Sequence, residues 1–257
     1  MRFALQVRQG RPGAEEFAQR LEAHLVEVGS TVVSGDAGCD MVLAVGGDGT
    51  MLAAVGRSLA LGVPVLGFNL GTVGFLAEAD PDAMEHVVAR LTAGDYAVHE
   101  RMTISATVDS GKAVGVNDVV VEKIDSQRLV VLDVAIDGED FVTYRADGVI
   151  VATPTGSTAY SFSAGGPLVT PEVDALILTP VAAHSLFDQS LVLAPGSKIR
   201  ITVMSDRPVK VSVDKNDLGR LTNGGVVSVA AGEEAARFVS LEGISFSRLI
   251  KSKFELH

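Results

Sequence analysis

Cysteine is almost absent from this chain of 257 residues, where Cys39 stands alone. One thiol closes no intrachain disulfide, which excludes a disulfide-stapled scaffold and fits a reducing cytoplasm. Long apolar runs are missing too. No stretch approaches the roughly 18 to 20 residues that a membrane span needs. The opening MRFALQV lacks the long apolar segment of a secretory leader and reads as a first strand. Basic charge is in deficit: 21 Lys and Arg stand against 32 Asp and Glu, a formal net charge of −11. Nucleic acid and anionic membranes attract basic surfaces, so neither is expected as a partner, although a local basic pocket stays open. His184 stands alone in PVAAHSLF, and no His/Cys/Asp cluster has zinc-ligand spacing. Internal repeats, low-complexity tracts and a disordered linker are also lacking.

What is present is an apolar chain, 47% hydrophobic, long enough for one large or two modest domains. Residues 1–98 alternate strand and helix signals. FALQV (3–7), TVV (31–33), DMVLAV (40–45) and VPVLGF (63–68) read as strands. Between the first two, Phe17, Leu21, Leu25 and Val28 share one helical face that Gly29 ends. A second helix is expected to begin near Thr50, and a third to run from Asp80 as N-cap and Pro81 to a stop at Gly94. Strands of nearly continuous apolar character separated by helices predict a parallel sheet covered on both faces. Beyond residue 100 the period becomes two: TISATV, DVVVEK, RLVVLDVAI, FVTYR, GVIVAT, KIRITV, VKVSV, GVVSVA and ARFVSL all read as strands. Asp137-Gly138 and Ser110-Gly111 are expected hairpin turns. The fold class is therefore an α/β N-terminal domain with a parallel sheet, plus a β-rich C-terminal domain. The division expected is 1–98 with about 236–257 returning to it, and 99–235.

Chemistry concentrates in three glycine- or hydroxyl-rich turns. In MVLAVGGDGTMLAAV an apolar strand ends in Gly46, Gly47, Asp48, Gly49 and Thr50, before a helical run. Glycines let an anion approach the backbone, and a helix N-terminus offers N–H groups and a positive dipole end. The stretch is no Walker motif, since no Gly-Lys-Ser/Thr follows, and it is no dinucleotide fingerprint, since Leu52 takes the third glycine's place. Its plain structural reading is a tight turn with Asp48 as helix cap. A second turn, Asn69, Gly71, Thr72 and Gly74, follows the next strand, and ligands in open α/β sheets bind beyond the carboxyl ends of strands. The third, YRADGVIVATPTGSTAYSFSAGGP (144–167), is dense in hydroxyls suited to ribose and diphosphate oxygens, or else is a solvated loop. Asn117-Asp118 opens a strand and can fix two neighbouring hydroxyls, or else is a turn.

In this order and at these spacings, GGDGT, NLGTVGFL, Asn117-Asp118 and RADGVIVATPTGSTAYSFSAGGP resemble the NAD kinases. The resemblance covers nearly the whole chain, and GGDGT alone is shared with diacylglycerol, sphingosine and phosphofructokinase families. It implies phosphoryl transfer from ATP, in some members also polyphosphate, to the 2′-hydroxyl of the adenosine ribose of NAD, giving NADP. It implies a β-sandwich-like second domain, with the dinucleotide bound between the domains. Asp48 is then the catalytic base and Gly49 a neighbouring contact, with Gly46, Gly47, Gly49 and Thr50 forming the phosphate-donor loop. Asn117 and Asp118 hold ribose hydroxyls. Arg128, Arg145 and Asp147 are substrate contacts, Thr158, Ala159, Tyr160, Ser161, Phe162 and Ser163 form a nucleotide-binding loop, and Phe75 flanks the adenine. The family's late Asp-Gly-Gln pattern is here Asp214-Lys215-Asn216, with Asn216 keeping an amide contact and Lys215 in the glycine's place. Phe187-Asp188-Gln189-Ser190 replaces the family's usual Arg-Pro pair. A divalent cation, Mg²⁺ delivered with ATP, is the expected cofactor. NAD and ATP are the expected substrates, and a cytoplasmic homo-oligomer, dimer or tetramer, is the expected state. Two rivals are a lipid kinase on the same GGDGT loop and an NAD(P)-responsive binding module without turnover.

Overall fold

The structure, a computed structural model, describes residues 1–35, 38–71, 74–76, 79–241 and 245–256. The chain opens with β1 (Arg2–Val7), α1 (Pro12–Glu27), β2 (Thr31–Val32), β3 (Met41–Gly46), α2 (Asp48–Leu61), β4 (Val65–Asn69), a 3₁₀ turn (Pro81–Ala83), α3 (Met84–Ala93) and β5 (Ala97–Arg101). It continues through β6 (Ile104–Val108), β7 (Gly111–Gly115), β8 (Asp118–Lys123), β9 (Val130–Ile136), β10 (Glu139–Ala146) and β11 (Gly148–Ala152). A 3₁₀ turn (Thr155–Thr158) and α4 (Tyr160–Ser163) precede β12 (Leu176–Val181), β13 (Leu191–Leu193), β14 (Ile199–Val203), β15 (Val209–Val213), β16 (Asn216–Leu221) and β17 (Val226–Ala231). The last elements are β18 (Ala236–Ser240) and α5 (Phe246–Lys253). Two compact units result, one of Met1–Glu100 with Ala236–His257 and one of Arg101–Ala235.

The first unit is built on a sheet ordered β2-β1-β3-β4-β18-β5, in which β2, β1, β3, β4 and β18 pair in parallel. All six residues of β3 are buried, as a central parallel strand requires. Phe3, Met41, Leu43, Leu66 and Phe68 point to one face, where Phe17, Leu21 and Leu25 of α1 and Val87, Val88 and Leu91 of α3 pack on them. The alternate residues Ala4, Val42, Ala44 and Val65 are buried as well, with Met51, Ala54 and Val55 of α2, which contacts β1, β3, β4 and β18. Val28 departs from its expected place: it is the C-cap of α1 and is exposed, and the buried row runs instead through Ala14, Phe17, Ala18, Leu21 and Leu25. The third helix starts later than expected: Asp80, accepting from the Asp82 N–H at 2.9 Å, caps the 3₁₀ turn Pro81–Ala83, and α3 begins at Met84 and ends, as expected, at a left-handed Gly94.

The second unit holds two six-stranded antiparallel sheets, ordered β10-β9-β14-β17-β6-β7 and β13-β12-β11-β8-β15-β16. Alternate residues of both sheets, among them Ile104, Val119, Val121, Leu132, Val149, Val151, Ile201 and Val211, form one core between them. The opposite face of β8, β11 and β12 is also apolar: Val120, Ile150, Ala152 and Ile177 are buried under Ala164 and Val169. The chain after β11 thus folds back over that face, which is why Val119, Val120 and Val121 of β8 and the GVIVA of β11 are apolar in succession rather than at alternate positions. Asp137 and Gly138, with φ of 54° and 90°, form the two-residue turn between β9 and β10. In the β6–β7 hairpin Val108 pairs with Gly111, so the turn residues are Asp109 and Ser110, one place earlier than expected.

Candidate functional site

In the first unit the GGDGT loop joins β3 to α2. Gly47 is the N-cap, with extended backbone, and the helix starts at Asp48, two residues before Thr50. Asp48 is therefore the first helical residue and not the cap. Its carboxylate turns across to the second glycine-rich turn: Oδ2 accepts a long hydrogen bond, 3.5 Å, from the Phe75 N–H, while buried Oδ1 has no hydrogen-bond partner among the described residues. A Cβ on Gly74 would collide with this carboxylate, and one on Gly46 would collide with the Thr50 side chain. The two turns are also joined by the Leu70 N–H donating to the Gly46 carbonyl at 3.2 Å. Asn69 Oδ1 accepts from the Gly71 N–H at 3.2 Å, and Thr72 lies outside the described residues. The Lys253 ammonium of α5 stands 5.4 Å from the centre of the half-buried Phe75 ring. Sequence distance hides this cation: α5 supplies a positive charge beside Phe75, in the turn that donates to the carboxylate.

In the second unit Asn117 and Asp118 are buried where β8 begins, 8% and 5% exposed. The Asn117 carbonyl accepts from the Thr153 N–H at 2.8 Å, and Thr153 Oγ1 donates to the Val116 carbonyl at 2.5 Å. Gly156 lies so close to the Asn117 backbone that no side chain fits between them. Asn117 Oδ1 is buried without a partner among the described residues. Burial first, then the charge of Asp214, pushes the Asp118 carboxyl up to about 7, with Lys215 acting against them. The Tyr160 phenol, 39% exposed, has its pKa raised by desolvation and then by the charges of Glu122, Asp147 and Asp118. Asp147 is paired with Lys123 at 2.5 Å.

The segment after β11 is not the solvated loop that its composition allows. It is a 3₁₀ turn followed by α4, and most of its hydroxyls are engaged within the unit. Thr158 Oγ1 donates to the Thr155 carbonyl at 3.1 Å, Ser157 Oγ bonds the Val169 backbone at 3.0 Å, and buried Ser161 meets Thr179 Oγ1 at 3.0 Å. Tyr160, Phe162 and Ser163 are the exposed members, with Ala159 half-buried. Arg128, exposed between β8 and β9, and Arg145, exposed on β10, are not drawn into this group by any described side-chain hydrogen bond or ion pair. Asn216 is exposed at the start of β16, opposite Val213.

Two family models match in succession: the ATP-NAD kinase N-terminal domain over residues 3–96 and the ATP-NAD kinase C-terminal domain over residues 116–241. The chain belongs to the ATP-NAD kinase family. NAD kinase 2 of Streptomyces avermitilis is 41% identical over 225 residues, covering 85% of this chain and 75% of that protein. NAD kinase of Nocardia farcinica is 42% identical over 229 residues, covering 85% of this chain and 69% of its own length. Among solved structures, yeast NADH kinase complexed with NADH superposes with a TM-score of 0.91 at 25% identity, over 100% of this chain and 88% of that one. An NAD kinase from Archaeoglobus fulgidus in complex with ATP gives 0.77 at 25% identity, over 100% and 97%. Neither rival reading, lipid kinase or binding module, gains support from these relatives.

For an ATP-NAD kinase, the departure at 214–216 takes on a physical form. Asp214 and Lys215 are the two turn residues of the β15–β16 hairpin, both left-handed, with φ of 48° and 70°. The family's glycine suits the second position, and lysine there is strained. Sequence reasoning did not place Asp214, Lys123 or Glu122 in the site, because only strand pairing brings them beside Asp118, Asp147 and Tyr160. Alternating apolar runs on either side of Asp214 signal a turn but not what its carboxylate holds. Among the described residues, no group of three or more His, Cys, Asp or Glu side chains is arranged to hold a metal ion. No helix among them is long and apolar enough to cross a membrane.

Proposed function

We propose that this chain is an NAD kinase that transfers the terminal phosphoryl group of ATP to the 2′-hydroxyl of the adenosine ribose of NAD, releasing ADP and NADP. The observation that carries the reading is the Asp48 carboxylate, held between two glycine-rich turns with one buried oxygen unpartnered. A ribose hydroxyl is a weak nucleophile, and phosphoryl transfer is catalysed mainly by positioning and charge neutralisation. Asp48 orients the 2′-hydroxyl and takes its proton as the new O–P bond forms and the bond to ADP breaks. The first turn of α2, with Gly46, Gly47, Gly49 and Thr50, offers N–H groups to the donor phosphates. Phe75 flanks the adenine. In the second unit Asn117 and Asp118 bind ribose hydroxyls, and the unpartnered Asn117 Oδ1 supports that role. Thr158, Ala159, Tyr160, Ser161, Phe162 and Ser163 form the nucleotide loop, in which Ser161 serves through its backbone because its hydroxyl bonds Thr179. Arg128, Arg145, Asp147 and Asn216 complete the contacts.

Mg²⁺ enters as part of the substrate, MgATP, and screens the phosphate charge when bound. We read the two compact units as the two domains of the enzyme, the protein as cytoplasmic, and the active species as a homodimer or homotetramer. Purified protein given NAD and MgATP should yield NADP, read by a coupled NADP-specific dehydrogenase. Absence of NADP with folded protein would overturn the reading. Sedimentation that shows a fully active monomer at micromolar concentration would overturn the assembly.

A further inference from the structure

The carboxylate of Asp214, absent from the set of site residues above, gathers the backbone that leads into Asn117 and Asp118. Its Oδ2 accepts the Val116 N–H at 2.6 Å, and its Oδ1 accepts the N–H groups of Asn117 at 2.8 Å and Asp118 at 3.2 Å. In return the Asp214 N–H donates to the Asp118 carbonyl at 3.1 Å. Gly115 gives the carboxylate its place, since a Cβ there would stand 2.6 Å from Asp214 Cγ and 2.7 Å from Val213 Cγ1. Three N–H donors on one carboxylate are a backbone anion nest made by the segment 116–118 and filled by a side chain from a distant hairpin. The acidic residue is costly in that position. Burial raises its pKa while the three N–H groups lower it, and its charge also opposes ionisation of Asp118. A neutral turn residue would close the β15–β16 hairpin without that penalty. The arrangement makes sense if the direction of Asn117 and Asp118 matters.

We propose that Asp214 is a positioning residue for the phosphoryl acceptor: it fixes the 116–118 backbone so that the Asn117 amide and the Asp118 carboxylate are aimed at the ribose. The inference rests on the NAD kinase reading for the identity of the ribose. Asp118 faces three groups that titrate or carry charge: Asp214 and Lys215 on the β15–β16 turn, and the Tyr160 phenol of α4. Removing the Asp214 charge leaves only the favourable influence of Lys215 beside burial, so Asp118 then ionises at lower pH.

The test compares the full-length protein with Asp214→Asn and Asp214→Ser, each checked for folding by thermal melting. Amide exchange at residues 116–118 should quicken by about tenfold or more in both variants, as local opening loses its charged acceptor. KM for NAD should rise by about tenfold with KM for ATP unmoved, since only the acceptor contacts are re-aimed. The acid limb of kcat/KM for NAD should move to lower pH in both variants. Unchanged amide exchange with unchanged KM for NAD would overturn the proposal. A loss shared equally by both substrates, with no movement of the acid limb, would also overturn it and mark Asp214 as a general fold residue. Should Asp214→Ser not fold, Asp214→Asn keeps the shape and one acceptor and decides alone. A wild-type protein that makes no NADP would sink the kinase reading, while amide exchange would still decide whether Asp214 holds the segment.

Discussion

The backbone of Gly74 forms one wall of the Asp48 carboxylate: a Cβ on that glycine would run into Asp48 Oδ1, and the next residue, Phe75, donates its N–H to Oδ2. The reason for glycine at 74 is therefore close approach and not a left-handed backbone. The second glycine-rich turn fixes the acid of the first. Gly74→Ala should push the carboxylate out of line while leaving the sheet intact. Turnover should fall at least about tenfold, as misplacement of a reacting group can cost more than that. Overpacking should destabilise by about 1 to 3 kcal/mol. Steady-state kinetics beside thermal melting checks both, and full activity would show that the wall does not position Asp48.

Asp48→Asn separates chemistry from helix stability. Because Gly47 is the cap, the carboxylate supports α2 only as a charge in its first turn, worth roughly 0.3 to 1 kcal/mol. Stability should therefore drop slightly. As a proton acceptor the same group is worth about 10² or more in rate. The expected outcome is near-normal NAD binding by calorimetry, a slightly lower melting temperature and turnover reduced about a hundredfold. Near-wild-type turnover would remove the catalytic assignment.

Periodicity made much of the fold legible. The buried run 41–46, the α1 stripe from Phe17 to Leu25 and the period-two strands after residue 100 all follow from where apolar residues recur. Some strands read less well, since β5, β7 and β16 are largely exposed and carry little apolar pattern. What the hydroxyl-rich segment spends its hydroxyls on could not be read from composition, for a physical reason. Thr153, Ser157 and Ser161 satisfy backbone and side-chain partners within a buried turn, and composition cannot separate a hydroxyl spent on the fold from one offered to a ligand. Motif order located Asp48, Asn117 and Asp118. It marked Asp214 only as part of a departing turn and could not show what its carboxylate holds, since those partners lie 96 to 98 residues away in sequence.

Asp118 should trade stability for function. Burial and the Asp214 charge raise its pKa from the ordinary 3.8 to about 7, so the folded chain holds this proton more tightly than the unfolded chain does. Between those two values the unfolded chain ionises the group while the folded chain does not. Its contribution to stability is therefore full below the lower value, falls as pH rises through the window and is flat above it. Asp118→Asn removes this loss. The variant should melt higher than wild type at about pH 8 and show no such gain at about pH 4, while KM for NAD rises. Paired melting curves at the two pH values check it. A lower melting temperature at the higher pH would show that the ionised carboxylate is favourably held.

Lys215 carries two effects that substitutions can part. Its φ of 70° places an L-residue in the left-handed region, at a cost of roughly 1 kcal/mol relative to glycine. Its ammonium also favours the charged form of Asp118 against burial and Asp214. Lys215→Gly relieves the backbone and removes the charge, so the melting temperature should rise by the equivalent of about 1 kcal/mol. The acid limb of kcat/KM for NAD should move to higher pH. Lys215→Met keeps the strained backbone and loses only the charge, so the acid limb should shift in the same direction without the gain in stability. If the two variants melt alike, strain at this turn is not what distinguishes lysine from the family's glycine. If neither moves the acid limb, Lys215 does not act on Asp118, and the ionisation of that carboxylate is governed by burial and Asp214 alone.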